Sequence, residues 1–167
     1  MDLFNPPSAS FEQPAAMLRA CHGKVRRFCG QLEQLDDYLK QHGYNQAAAQ
    51  AVAQIRHYFN RAAPLHHQDE EEDFFPLLQR YAPESAASIA ALAAEHHDLH
   101  RLWQALDTHL AALDEATEAD TALIHAFTKA YAQHMPDEEA LFDLGERVIP
   151  AAEMSRIGRR MAARRQG

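Results

Sequence analysis

The chain has 167 residues and a formal net charge of −8, with 47% hydrophobic and 24% charged residues but only 6 glycines and 8 prolines. This length suits one domain with a single substantial core, and the composition excludes collagen-like, low-complexity and wholly disordered classes. No stretch approaches the roughly 18 uninterrupted apolar residues of a membrane span, and the acidic balance argues against nucleic acid as the main partner.

Residues 1–13, with Pro6, Pro7, Ser8 and Ser10, read as an extended arm laid over the rest or left loose. The segment Met1 to Pro14 lacks the basic flank and apolar run of a secretory signal, so a cytoplasmic location is expected. Alanine, leucine, glutamate and glutamine dominate from there on, and apolar residues recur at three- and four-residue steps. The chain is therefore expected to be all-α: an up-down-up-down four-helix bundle over residues 14–148, followed by a basic C-terminal helix or tail over 149–167.

The first helix is predicted from about Pro14 to Gln41, closing at His42-Gly43. It carries both cysteines, Cys21 and Cys29. Eight helical positions separate them by about 12 Å, too far to bridge, so both are expected to be reduced. The second helix is predicted from about Asn45 to Tyr81, the third from about Pro83 to Leu113, and the fourth from about Thr117 to Val148. Thr117 with Asp120 resembles a capping box. A fifth helix is expected over Ala151 to Arg164, where Arg156, Arg159, Arg160, Arg164 and Arg165 concentrate positive charge. Such a face is expected to be solvated, with an acidic partner or RNA as the less favoured use.

The informative positions are the polar residues that interrupt the apolar stripes. The first stripe runs Leu18, His22, Val25, Cys29, Leu32, and the second Val52, Ile55, Phe59, His66, Glu70, Phe74, Leu77. The third runs Ile89, Leu92, His96, Leu99, Trp103, Leu106, Leu110, Leu113, and the fourth Leu123, Phe127, Tyr131, His134, Glu138, Leu141. Each helix thus turns one histidine inward, and the second and fourth add a glutamate one turn later. By the same periodicity His67 and Glu71 follow Arg56 and Asn60 toward water, and His97 points away. The run Asp69 to Asp73 reads as a solvated acidic face from which only Glu70 turns in. Cys29, Trp103 and Tyr131 read as core residues, with Tyr131 placed to line any pocket beside His134.

Burying two carboxylates beside four imidazoles is costly unless cations neutralise them. Two divalent ions and a bridging hydroxide would leave only a small residual charge. Imidazole with carboxylate suits iron, manganese or zinc. The candidate ligands are His22, His66, Glu70, His96, His134 and Glu138. Two prolines qualify the spacing: Pro64 precedes His66, and Pro136 lies between His134 and Glu138. A kink at Pro136, with a π-bulge, would substitute Glu139 for the favoured Glu138.

These residues carry a resemblance. Leu18-Arg-Ala-Cys-His22, His66-His67-Gln-Asp-Glu70-Glu71-Glu72-Asp-Phe-Phe-Pro76, Glu95-His96 and His134-Met-Pro-Asp-Glu138-Glu139 together resemble the hemerythrin-like, or HHE cation-binding, domain over about residues 14–148. The resemblance implies a four-helix bundle around a non-haem di-iron site, with both glutamates bridging the irons beside an oxo or hydroxo bridge. The rival ferritin-like bundle is marked by Glu-x-x-His on two helices, and no glutamate here has a histidine three residues later.

Four histidines and two bridging glutamates leave each iron one open position. That suits dioxygen, nitric oxide or peroxide as the ligand, in a binding, sensing, iron-handling or stress-response role. Oxygen-carrying hemerythrins have an additional histidine, for which His100, one turn after His96, is the candidate here. The competing expectation is a zinc- or iron-stabilised scaffold whose acidic surface or Arg-rich tail binds a partner. No nucleophile triad or phosphate-binding glycine loop appears, so any catalysis would be metal-borne redox chemistry.

Overall fold

The computed structural model describes residues 9–167, so Pro6, Pro7 and Ser8 of the expected arm lie outside the described residues. Helices account for the regular structure, and no strand occurs among the described residues. Helix α1 (Pro14–His42) opens with proline in its first turn, where the missing N–H costs nothing. It closes at Gly43, which adopts φ 71° and donates its N–H to the Leu39 carbonyl. Helix α3 (Ala86–Ala111) succeeds a 3₁₀ turn at Pro83–Ser85, and α5 (Ala151–Arg164) begins directly after Pro150.

Helix α4 (Thr121–Val148) begins later than the capping-box reading predicts. Asp114 accepts both the Ala116 N–H and the Thr117 hydroxyl, which ties Thr117 into the preceding turn. Asp120 is the true cap, accepting the Leu123 N–H at 3.0 Å. Pro136 sits inside α4 without a π turn, so the register from His134 to Glu138 stays α-helical.

Helix α2 (residues 46–81), capped by Asn45, is where proline reshapes the helix. Its α-helical pieces Gln46–His57, Ala63–Asp69 and Phe75–Tyr81 are separated by π turns at Tyr58–Ala62 and Glu70–Phe74. Pro64 and Pro76 each come just after a π turn. A helical proline lacks an N–H and presses on the carbonyl four residues back, which is Asn60 or Glu72; a widened turn moves that carbonyl aside. Each extra residue rotates the downstream part of the helix by about 100°, so the face of α2 beyond Phe59 departs from a regular helix.

Helix α4 packs beside both α1 and α3, while α2 packs on α1 and α3, closing the four rods into a bundle. Two apolar cores fill it. One is built around Val25, Leu32, Ile55, Phe59, Trp103, Leu106 and Phe127. The other gathers Leu18, Phe74, Leu78, Leu92, Phe142, Ile157 and Met161. Helix α5 joins the second core through Ile157 and Met161, and its Gly158 allows the Phe11 carbonyl to approach where a Cβ would collide. Among the described residues, no helix is long and apolar enough to cross a membrane.

Candidate metal centre

Between the two apolar cores lies a polar layer. His22 sits between Leu18 and Val25, His66 and Glu70 between Ala63 and Phe74, His96 between Leu92 and Leu99, and Glu138 between Met135 and Leu141, each flanking pair drawn from opposite cores. The 3.6-residue period places these polar positions on the stripes that bury the leucines and phenylalanines. All six candidate ligands are at most 4% exposed: His22, His66, Glu70, His96, His134 and Glu138.

Their reactive atoms converge. His66 Nε2 lies 2.5 Å from Glu70 Oε1, and His22 Nε2 lies 3.3 Å from Glu138 Oε1. Across the layer, His134 Nε2 is 2.7 Å from Glu138 Oε1, and His96 Nε2 is 3.2 Å from Glu70 Oε2 and 3.3 Å from Glu138 Oε2. His22, His66, Glu70 and Glu138 can each bring a ligand atom within 4.8 Å of the others, as can His96, His134 and Glu138, so Glu138 belongs to both groups. Despite this proximity, His66 Nε2, His96 Nε2, His134 Nε2, both Glu70 oxygens and Glu138 Oε2 have no hydrogen-bond partner of acceptable geometry. Buried polar atoms are almost always satisfied. Here nitrogen and oxygen atoms point at shared space rather than at each other, which is the arrangement cations require.

The outer nitrogens are oriented by carboxylates. His22 Nδ1 is 3.0 Å from Glu139, His96 Nδ1 is 2.7 Å from Glu71, and His134 Nδ1 is 2.6 Å from Glu95. A carboxylate accepts, so each Nδ1 donates to its glutamate and each Nε2 is the nitrogen turned to the layer. His66 differs, since its Nδ1 has no partner.

The buried carboxyls and imidazoles shift one another's proton affinities. Burial pushes Glu70 up, aided by the neighbouring Glu138 charge. Burial also opposes ionisation of Glu138, but the adjacent Glu70, His134, His22 and His96 outweigh it and hold Glu138 well below the usual carboxylate range. Burial disfavours charge on His96, yet Glu138 and Glu70 outweigh it and raise its pKa to about 10.

The structure departs from the helical count at several positions. His67 does not face water. The π turn at Tyr58–Ala62 rotates it inward, where its ring stacks on His96 at 4.0 Å between centroids and its Nε2 lies 3.4 Å from the Tyr131 hydroxyl. Burial and the adjacent His96 and His66 hold His67 well below its usual pKa. Glu71 is exposed, as its helical position predicts, and also meets His96 Nδ1 at 2.7 Å. His100, the candidate additional histidine, is exposed, pairs with Gln104 and lies outside the convergent set, at the edge of a small cavity that His67 and Tyr131 also line. Glu139 is not in the convergent set and instead backs His22 and meets Arg26 at 2.6 Å. The Asp69–Asp73 run is not a solvated face: Asp69 and Asp73 are buried against Arg164 and Arg165. The basic tail is correspondingly docked.

Cys29, Trp103 and Tyr131 lie in the core, and burial raises the Cys29 thiol to about 12. Tyr131 and His67 also wall a cavity of about 30 Å³ whose other sides include Phe59, Leu99 and Trp103. No pattern in the sequence marks the backing role of Glu95, because it neighbours His96 in the chain yet serves His134 on another helix.

Comparison with known proteins agrees with this geometry. The family model of the hemerythrin HHE cation binding domain matches residues 13–143. A Haemophilus influenzae protein described as "Uncharacterized protein" is 46% identical over 169 residues, spanning 99% of this chain and 98% of its own length. The bundle and its buried histidine–glutamate layer are those of a cation-binding domain, and the chain belongs to the hemerythrin HHE family.

Proposed function

We propose that the layer holds two non-haem iron ions, and that the protein binds or senses dioxygen or a related small molecule such as nitric oxide or peroxide. The observation that supports this reading is the set of buried, unpartnered imidazole and carboxylate atoms contributed by the long helices of the bundle. His22, His66 and Glu70 would hold one ion and His96 and His134 the other, with Glu138 shared between them. Zinc or manganese fits the same donor atoms less distinctively. An iron pair bound there supplies a centre that exchanges electrons with a small ligand.

The chain's own residues do the rest. Glu139, Glu71 and Glu95 fix the tautomers of three histidines, keeping their Nε2 lone pairs inward. The apolar walls from Phe59, Leu99 and Trp103 favour a neutral diatomic over a charged ligand in the adjoining cavity. His67, Tyr131 and the exposed His100 form the polar side of that cavity, with His67 stacked on His96. Exposed His100 leaves the histidine count at four, favouring an open sensing or stress-response centre over a dedicated oxygen carrier. Free Cys21 and Cys29 fit the reducing cytoplasm, where we place the protein. The scaffold reading is less supported, since Arg164 and Arg165 are engaged within the chain.

Metal analysis combined with anaerobic ultraviolet–visible titration tests the proposal. The expected result is two irons per chain, near-ultraviolet absorption of an oxo-bridged diferric pair, and a spectral change of the reduced protein with dioxygen or nitric oxide. A colourless zinc protein indifferent to both gases would overturn it.

A further inference from the structure

Helix α5 lies beyond the residues matched by the family, yet it grips the turn that carries Glu70. Five acidic residues run from Asp69 to Asp73, and the π turn Glu70–Phe74 distributes them in different directions. Glu70 enters the layer and Glu71 turns to His96. Asp69 and Asp73 point the other way, 1% and 3% exposed. Arg164 joins them, its Nη1 donating to Asp69 Oδ1 at 2.5 Å and its Nη2 to Asp73 Oδ2 at 2.8 Å, with Glu72 at 3.1 Å. Arg165 adds two contacts to Asp69, at 3.0 and 2.6 Å, and Arg160 Nε lies 2.9 Å from Asp73.

We propose that Arg164 is a positioning residue for Glu70: α5 holds the turn bearing this carboxylate, so docking of α5 and binding of cations at the layer strengthen one another. Asp69 and Asp73 flank Glu70 on the turn, and their charge is buried. Without Arg164, Asp69 keeps only Arg165 and Asp73 only Arg160, both more exposed than Arg164, so the buried charge is left under-compensated, which is costly in a protein interior. The turn relieves it by swinging both aspartates toward water. Because Glu70 shares that backbone, the same rotation withdraws its carboxylate from His66 and His96. A cation that holds Glu70 in place opposes the rotation and thereby retains α5. Such coupling is reciprocal by thermodynamic necessity.

The inference rests on the cation-binding reading of the layer, and its test separates the two. The metal-free full-length chain is titrated with cobalt(II), monitored by visible absorption, for wild type, Arg164→Ala, Arg164→Ala combined with Asp69→Asn and Asp73→Asn, and Arg156→Ala as control. Arg156 pairs with Glu153 on the surface. Arg164→Ala is expected to weaken cobalt binding about tenfold, the triple variant to recover most of that loss, and the control to match wild type. Recovery distinguishes positioning from a packing role, which the added substitutions could not restore. Amide hydrogen exchange in wild type needs no variant: exchange over residues 151–164 slows when cobalt is added. Cobalt binding by wild type with unchanged exchange over 151–164, together with undiminished affinity in Arg164→Ala, would overturn the inference and leave the cation-binding reading standing. Absence of cobalt binding by wild type would overturn both.

Discussion

The apolar core around Phe59 and Phe127 and the polar layer beside it are equally buried, but they are closed by different means. The core is complete as it stands: Phe127, fully buried, packs edge-to-face on Phe59 and Tyr131 and against Trp103. The layer is incomplete, since its donor atoms crowd together without satisfying one another. One region is stabilised by what its side chains do to each other. The other gathers donor atoms that a shared cation would satisfy.

The largest test of this contrast removes one member from each region. Phe127→Ala should cost about 3–5 kcal/mol whether or not metal is present, measured by denaturant unfolding with and without chelator. Glu70→Gln should change metal-free stability by less than about 1 kcal/mol, since glutamine matches the protonated carboxyl that burial favours there. The same variant should lose the bound metal, measured by elemental analysis. Equal losses from both substitutions in the metal-free protein would erase the distinction. In wild type, metal at a thousandfold excess over its dissociation constant should add about 4 kcal/mol, an increment absent from Glu70→Gln.

Smaller effects sharpen it further. Glu95→Ala and Glu139→Ala, which free an Nδ1 rather than a ligand, should each weaken metal binding about 10- to 100-fold in a competition titration. Those losses should leave the donor set otherwise intact. The pH dependence should have opposite signs in the two forms. In the metal-free protein the raised pKa of His96 contributes stability that is fully present below its ordinary value of 6.5 and is lost as pH rises through about 10. In the loaded protein cations replace those protons, so metal affinity rises with pH over the same range. Parallel unfolding midpoints across that range, with and without metal, would contradict the exchange of protons for cations. At the bottom of the scale, His97→Ala and His100→Ala, both exposed, should change stability by less than about 0.5 kcal/mol and leave metal content unchanged.

The inward positions were readable because they obey a local rule. His22, His96 and His134 replace apolar residues in regular helices, so a 3.6-residue count from neighbouring leucines finds them. Glu138 was found the same way, since α4 keeps its register through Pro136. A regular count from Arg56 and Asn60 misplaces His67 because it crosses the π turn at Tyr58–Ala62, which alters the rotation per residue. Proline marked that neighbourhood as irregular, but a proline signals only that a helix must adjust. Asp69 and Asp73 escape the sequence for a different reason. An acidic run reads as solvated unless its counter-charges are known, and these come from the far end of the chain.

Composition and apolar period determined the helices, their lengths to within a turn or so, and the faces that bury histidine and glutamate, because each of these depends on residues within about two turns of one another. Tertiary structure alone decided that Glu95 serves His134, that His67 lies on His96, and that Arg164 reaches Asp69 across 95 residues of sequence. Such pairings depend on how whole helices are rotated and juxtaposed, and no local periodicity encodes the partner of a charge on another helix.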